Sequence, residues 1–265
     1  MKLLWLSDIH LNFLKKKQFI RFLQLLQAEE ADAVLISGDI GEAPTLCDYL
    51  FMMDIALQTK IYFVLGNHDF YHGSIARTRA SVENLTQRSK YLVYLAGAGV
   101  VQLTPTTCLV GHDSWADGRL GDYDNSDVEL NDYYLIQEFV GLDRERRRDK
   151  LNELGDEAAA YLRRVLPQAA ESCEEIIVVT HVPPFKEACW YEERASDDNN
   201  LPHFACKAVG EVLRDVARSW PDRRFTMLCG HTHGVGQTRI IDNLEVFTAG
   251  AEYGAPVVQR NIECR

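Results

Sequence analysis

The 265-residue chain has no apolar run near the length of about 18 residues that a membrane-spanning helix needs. Its first stretch, Met1-Lys2-Leu3-Leu4-Trp5-Leu6, is apolar but broken at once by Ser7, Asp8 and His10. That is too short for a secretory leader, and it is read as a first strand. Positive charge is scarce. Lys and Arg number 28 against 39 Asp and Glu, a formal net charge of -11, which argues against gripping duplex nucleic acid through a basic face; with no long apolar run, no membrane partner is expected either. Anionic substrates stay open, because bound divalent cations reverse the local field. None of the 7 Cys forms a Cys-x-x-Cys pair, so a zinc-finger spacing is excluded. Their odd count and scatter point to reduced thiols in a cytoplasmic protein. Repeats, low-complexity tracts and flexible linkers are also missing, and a single domain over residues 1–265 is expected. With 46% hydrophobic and 25% charged residues, the composition is ordinary for a globular protein with a sizeable core.

The first third alternates strand and helix. Leu3 to Leu6, Ala33 to Ile36 and Ile61 to Leu65 are short apolar runs that read as buried strands. Between them, Lys15 to Glu30 carries Phe19, Phe22, Leu23 and Leu26 at i, i+3, i+4 and i+7, one face of a helix. Pro44 is expected to open a second helix reaching about Gln58, and a third covers about Ser74 to Ser89. Such alternation predicts a parallel sheet with helices packed on it. Short strands follow at Tyr91–Leu95, Val100–Leu103 and Cys108–Val110, the last two as a hairpin. A long acidic loop then runs from His112 to about Asp132, with helices at about Val128–Phe139 and Leu142–Leu166. Arg144 to Arg148 reads as a solvated helix face. A β-branched strand, Glu175 to Thr180, precedes an aperiodic stretch, Val182–Pro202. Beyond it come a helix at Ala205–Trp220 and strands at Phe225–Cys229, Thr238–Ile241, Glu245–Thr248 and Pro256–Arg260. Loop or lid insertions are expected near 112–140 and 182–204, since long ordered loops are often functional.

Five of the strand-like runs end in loops bearing Asp, Asn or His: Asp8-Ile9-His10, Gly38-Asp39, Gly66-Asn67-His68-Asp69, His181 and Gly230-His231-Thr232-His233. In an α/β sheet the C-terminal strand ends form the functional edge, and a glycine before a ligand lets the backbone approach an ion. Together the loops offer three carboxylates, one carboxamide and five imidazoles. Singly each has an ordinary explanation, such as a loop cap at Asp8, a turn at Asp39 or a half-buried ring at His68. Their common order, each after its own buried strand, does not. A mixed nitrogen and oxygen set without thiolate suits Mn, Fe or Zn better than Ca or Mg.

These blocks resemble those of the calcineurin-like metallophosphoesterases: Asp-x-His, Gly-Asp-x-x-Asp, Gly-Asn-His-Asp/Glu, a lone His after a strand, and Gly-His-x-His. The resemblance implies an α/β fold, a four-layer α/β/β/α sandwich of two mixed sheets flanked by helices, holding two divalent metal ions. It implies that Asp8, His10 and His233 bind one ion, that Asn67, His181 and His231 bind the other, and that Asp39 bridges them. His68 then faces the substrate and Asp69 orients it. The activity implied is hydrolysis of a small or medium phosphate ester, diester or monoester, by in-line attack of a metal-bridging hydroxide. Nucleotide pyrophosphohydrolase or nuclease activity is the alternative, and a non-catalytic interaction scaffold is the reading from another class. The chain departs from the pattern at Glu42, where the family often has Asp, and at Ala43, where protein Ser/Thr phosphatases carry arginine. Outside the blocks, His112 and Arg119 are candidate substrate contacts, Arg119 as a phosphate clamp. Trp190 and Tyr191 are candidates for stacking, with packing of the 182–204 insertion the stronger reading.

Overall fold

Alternation along each strand decides what its side chains meet. In the computed structural model, which describes residues 1–191 and 194–265, β1 (Lys2–Leu6), α1 (Lys16–Ala28), β2 (Ala33–Ser37), α2 (Leu46–Leu57), β3 (Lys60–Val64), α3 (Ile75–Arg88) and β4 (Leu92–Tyr94) follow in turn. The four strands pair in parallel in chain order, with Leu3 opposite Ala33 and Ala33 opposite Lys60. Leu4, Leu6, Val34, Ile36, Ile61 and Phe63 turn to one side, into a core shared with Phe19, Phe22, Leu23 and Leu26 of α1 and with Leu50 and Met53 of α2. Leu3, Trp5, Leu35, Tyr62 and Val64 turn to the other side.

The second half repeats the scheme. It contains β5 (Val101–Gln102), β6 (Thr107–Gly111), α4 (Arg144–Ser172), β7 (Glu175–Val179), a small hairpin of β8 (Trp190–Tyr191) with β9 (Arg194–Ala195), α5 (Lys207–Ser219), β10 (Arg224–Cys229), β11 (Gly236–Ile241), β12 (Leu244–Thr248) and β13 (Arg260–Glu263). The second sheet has the order β11-β12-β10-β7-β6-β5, and β13 returns to the first sheet, antiparallel beside β1. Val110, Ile176, Val178, Phe225 and Met227 pack under α4 and α5. Leu109, Ile177, Val179 and Leu228 meet Leu3, Trp5 and Leu35 between the sheets. The layers are therefore helix, sheet, sheet, helix, and the expected architecture is present.

Several local expectations are corrected. Pro44 lies before the first turn of α2, which starts at Leu46 after Thr45. The helix expected at Val128–Phe139 is only a turn, Asp132–Leu135. α4 runs through Pro167 to Ser172, past the apolar period that suggested an end at Leu166. The last strand starts where Pro256–Arg260 was to end. Cys108 and Cys173 form a disulfide joining β6 to the residue that ends α4, so the reading of all thiols as reduced fails at that pair. Among the described residues, no helix is long and apolar enough to cross a membrane.

The Arg144–Arg148 run is solvated at Arg144 and Arg146, as expected, and also makes contacts with the preceding segment. Arg144 donates to the carbonyls of Tyr123, Asp124 and Ser126. Arg147 pairs with Glu129 and lies over the Tyr133 ring, and Arg148 pairs with Asp124. The run pins the 112–140 segment onto α4. That segment in turn meets the 182–204 segment, of which residues 192 and 193 lie outside the described residues: Asp122 N–H donates to the Asp198 carbonyl and Ser126 Oγ to that of Asn199.

Candidate metal centre

The parallel pairing of β1 with β2 continues past the strand ends. Asp8 N–H donates to the Gly38 carbonyl at 3.0 Å and His10 N–H to that of Asp39 at 2.9 Å. Across the second sheet, Gly230 N–H donates to the His181 carbonyl at 2.8 Å. The backbone itself thus brings the loops to one rim. Asp8, His10, Asp39, His231 and His233 all have positive φ, between 39° and 73°. Five of the seven expected ligands therefore hold a left-handed backbone that non-glycine residues seldom adopt, as strained functional sites often do. At Gly66 the requirement is space: a Cβ there would meet Asp39 Oδ1 at 2.1 Å and His181 Cε1 at 2.7 Å.

One ligand atom from each of Asp8, His10, Asp39 and His233 lies within 4.8 Å of the others. His10 Nε2 is 3.2 Å from His233 Nε2 and 3.7 Å from Asp39 Oδ2, and His233 Nε2 is 3.5 Å from Asp8 Oδ1. Asp39 Oδ1 turns the other way, 3.4 Å from His181 Nε2. Asn67 Oδ1 is 3.0 Å from both His181 Nε2 and His231 Nδ1. The structure brings all seven expected ligands together, as two donor sets that share the Asp39 carboxylate.

The second set fits a cation on hydrogen-bond chemistry alone. His181 Nδ1–H donates to the Ser37 carbonyl at 2.9 Å, and His231 Nε2–H to that of His203 at 3.0 Å. Burial pushes both imidazoles down, His231 to about 3, so both are neutral. Their remaining nitrogens are then lone pairs, and both face the Asn67 amide oxygen. That oxygen is fixed because Asn67 Nδ2 donates to Asp132 Oδ1 at 2.8 Å, where Tyr71 Oη also donates, at 2.7 Å. Three lone pairs meet with no proton between them, and Asp39 Oδ1 adjoins His181. A cation would satisfy them, and the outer hydrogen bonds set the tautomers as they do around bound metals. In the first set, burial pushes His10 to about 3 against the pull of Asp8. Burial, Asp8 and Asp69 push the Asp39 carboxyl upward, which a bound dication would reverse.

His68 lies beside the shared carboxylate. Its backbone N–H donates to Asp39 Oδ1 at 2.9 Å, its Nε2 is 3.9 Å from Asp39 Oδ2, and its ring stacks on Tyr71 with centroids 4.2 Å apart. Asp69 does not orient it. Asp69 Oδ1 accepts from the N–H groups of Ile40 and Gly41, both at 2.8 Å, and Oδ2 from that of Gly66 at 2.9 Å. This buried carboxylate ties the β2 loop to the β3 loop. Glu42 does not reach His68 either: it accepts from Asn12 Nδ2 at 3.1 Å and faces His72.

Both expected substrate contacts are corrected. Arg119 forms a two-bond fork with Asp156, both bonds 2.7 Å, and also reaches Asn152 and Asp117. Its donors are spent on α4 and on its own loop, so no phosphate clamp is available. Arg119→Ala is expected to cost about 1 kcal/mol of stability or less, the scale of a partly exposed ion pair, with KM unchanged. A several-fold rise in KM would restore the clamp. His112 lies against Tyr161 of α4 and accepts from Ser114 N–H at 3.1 Å on Nδ1. Burial pushes its pKa below the ordinary 6.5, against the raising effect of Asp113. The folded state then binds fewer protons than the unfolded chain, so this group costs stability as pH falls below about 6.5. His112→Gln is expected to flatten the loss of thermal stability between about pH 7 and pH 5. Parallel curves for variant and wild type would contradict that role. Trp190 packs on the Gly234–Gly236 turn, where a Cβ on Gly236 would meet its ring at 1.9 Å, and Tyr191 lies against Phe204.

Sequence reasoning missed the residues that orient the ligands, Asp132 and His203, and also Tyr253. The Tyr253 ring centroid is 4.6 Å from His10, 5.1 Å from His233 and 6.2 Å from His68. None of the three stands in a strand-end block, and pairing across 65 residues, as for Asn67 with Asp132, leaves no local signal. A groove of about 550 Å³ lies beside His72, Arg77 and Cys47, away from the ligands, and donor chemistry outweighs volume in placing the site.

A family model described as calcineurin-like phosphoesterase matches residues 1–235. Among solved structures, the chain is similar to phosphopantetheinyl hydrolase from Mycobacterium tuberculosis, with a TM-score of 0.63 and 16% identity over 96% of this chain and 90% of that one. It is also similar to a dimetal phosphatase from Danio rerio, with a TM-score of 0.59 and 16% identity over 94% of this chain and 87% of that one. An uncharacterised protein of Acanthamoeba polyphaga mimivirus is 23% identical over 248 residues, 86% of this chain and 83% of its own. At these identities the structural likeness is one of fold.

Proposed function

Because the chain belongs to the calcineurin-like phosphoesterase family, we propose that it hydrolyses a phosphate monoester or diester of a small molecule at a pair of divalent metal ions. The observation that carries this reading is the position of Asp39, whose two oxygens face separate donor sets. Asp8, His10, Asp39 and His233 would hold one ion, and Asp39, Asn67, His181 and His231 the other. Such ions, when bound, acidify water and neutralise phosphoryl oxygens. The nitrogen-rich donor set without thiolate favours Mn, Fe or Zn.

The chain's own residues supply orientation and a proton. Asp8 takes a hydrogen bond from Ser7 Oγ and another from His231 N–H at 3.0 Å, so it cannot swing away from its set. Asp69 holds the loops carrying Asp39 and Asn67 at fixed spacing. His68 is the group beside the shared carboxylate that is free to face a phosphate. Burial, with His10 and His181 adding to it, lowers its pKa to about 2, so it meets substrate as a neutral ring. Nε2 then donates a hydrogen bond to a phosphoryl or leaving oxygen. Negative charge arriving with the ester favours the imidazolium, which would let the same atom pass a proton to the departing alkoxide. A complete ligand set with His68 in place counts against the scaffold reading.

The test is turnover of bis(p-nitrophenyl) phosphate and p-nitrophenyl phosphate by metal-stripped protein reloaded with Mn, Fe, Zn or Mg. Hydrolysis of one or both is expected. Inactivity with all four metals on both esters would sink the reading.

A further inference from the structure

Two large rings stand exposed at the mouth of this otherwise polar site. Phe13 is 50% and Tyr253 48% exposed, and their centroids are 4.7 Å apart at an interplanar angle of 45°. Phe13 closes the short turn after His10, held by its N–H donating to the His10 carbonyl at 3.0 Å. Tyr253 is carried by the loop after β12. That loop is fixed at its base by the paired bonds between Gln259 and Gly250, and near its tip by Ala255 N–H donating to Glu252 at 3.1 Å. Ala251 N–H donates to the His233 carbonyl at 3.2 Å, so the loop is tied to a metal-ligand segment. Both rings are therefore preset relative to His10, His68 and His233. Tyr253 also lies beyond residues 1–235, the part the family model matches.

Exposed rings are unremarkable when scattered singly. These two touch each other and adjoin three site imidazoles, and the tyrosine hydroxyl has no hydrogen-bond partner among the described residues. The faces of the two rings, unlike the carboxylates and imidazoles beside them, offer apolar area that a phosphate does not use. It matches the organic part of an ester, and a flat π-system in contact with two rings gains more than a saturated one. We infer that Phe13 and Tyr253 form a subsite that selects phosphate esters bearing a planar aromatic group. This rests on the phosphoesterase reading above. The shared chemistry is a flat ring, either a simple aryl group or a nucleobase.

The test is equilibrium binding of phosphonates, which cannot turn over, to metal-loaded protein by calorimetry. Phenylphosphonate is compared with cyclohexylphosphonate, a saturated ring of like size, and with a nucleoside 5′-phosphonate. Wild type is expected to prefer the phenyl over the cyclohexyl compound. Tyr253→Ala and Phe13→Ala should each weaken phenylphosphonate about tenfold, on the scale of a lost aromatic stacking partner, and leave the cyclohexyl compound little changed. Tyr253→Phe should retain the preference. Tighter binding of the nucleoside compound than of phenylphosphonate identifies a base as the occupant, and weaker binding an aryl group. Equal affinity for phenyl and cyclohexyl in wild type, or a preference that survives both alanine variants, overturns the subsite. The two ideas fail separately: a wild type that turns over esters without this preference loses only the subsite, and one that turns over none loses the phosphoesterase reading.

Discussion

Asp39→Asn is expected to empty both metal sites together. The carboxylate faces His10 with one oxygen and His181 with the other, and its charge is the only one the two donor sets have in common. Loss of a contact outside the ligand shell already costs about 10–100-fold in metal affinity. Removing the shared charge should exceed that at each site, and phosphoesterase activity should fall to background. Asn67→Ala is the contrast. Among the described residues, Asn67 Oδ1 meets His181 and His231 and no member of the other set, so this variant should lose one ion and keep the other. Elemental analysis after dialysis separates the cases. Asp39→Asn protein that retains a full equivalent of metal would show that the carboxylate is not shared.

His68→Ala should have the opposite signature. No described ligand depends on the imidazole for a hydrogen bond, so two ions per chain should remain while kcat falls about 10²–10⁴-fold, the range for a lost proton donor. The pH profile adds a second reading. Burial keeps the ring neutral until an anion arrives; a donor protonated only in the substrate complex is lost as pH rises, so the alkaline-side arm of kcat should vanish in the variant. An unchanged kcat would remove His68 from the chemistry and leave the reaction to the metal ligands alone.

The ligand blocks were legible because each one ends a buried strand, and parallel strands deliver their C-terminal ends to one edge. Position in the sequence was then enough to gather the nine strand-end groups, and the family resemblance picked out Asp8, His10, Asp39, Asn67, His181, His231 and His233 among them. Orientation was not legible. Asp69 follows His68 directly, yet a short helical turn over His68–Phe70 sends its carboxylate back to the backbone of Ile40, Gly41 and Gly66. Arg119 looked free because its partner Asp156 stands 37 residues away on α4. The same blindness hid the work of Arg144, whose hydrogen bonds go to backbone carbonyls that have no residue signature. Cys108 and Cys173 are 65 residues apart, and no spacing rule connects them.

The two donor sets differ in what steadies them. Ser7, which orients Asp8, follows β1 directly. The groups on Asn67 and His231 come instead from the outer segments, the Asp132 carboxylate and the His203 carbonyl. Lengthening or trimming either segment would thus be felt first as uneven loading, one cation kept and one released, while the layered scaffold stayed folded. On the proposed two-ion reading, occupancy of the second position would depend on loops, and remodelling them for a new substrate would retune a metal at the same time.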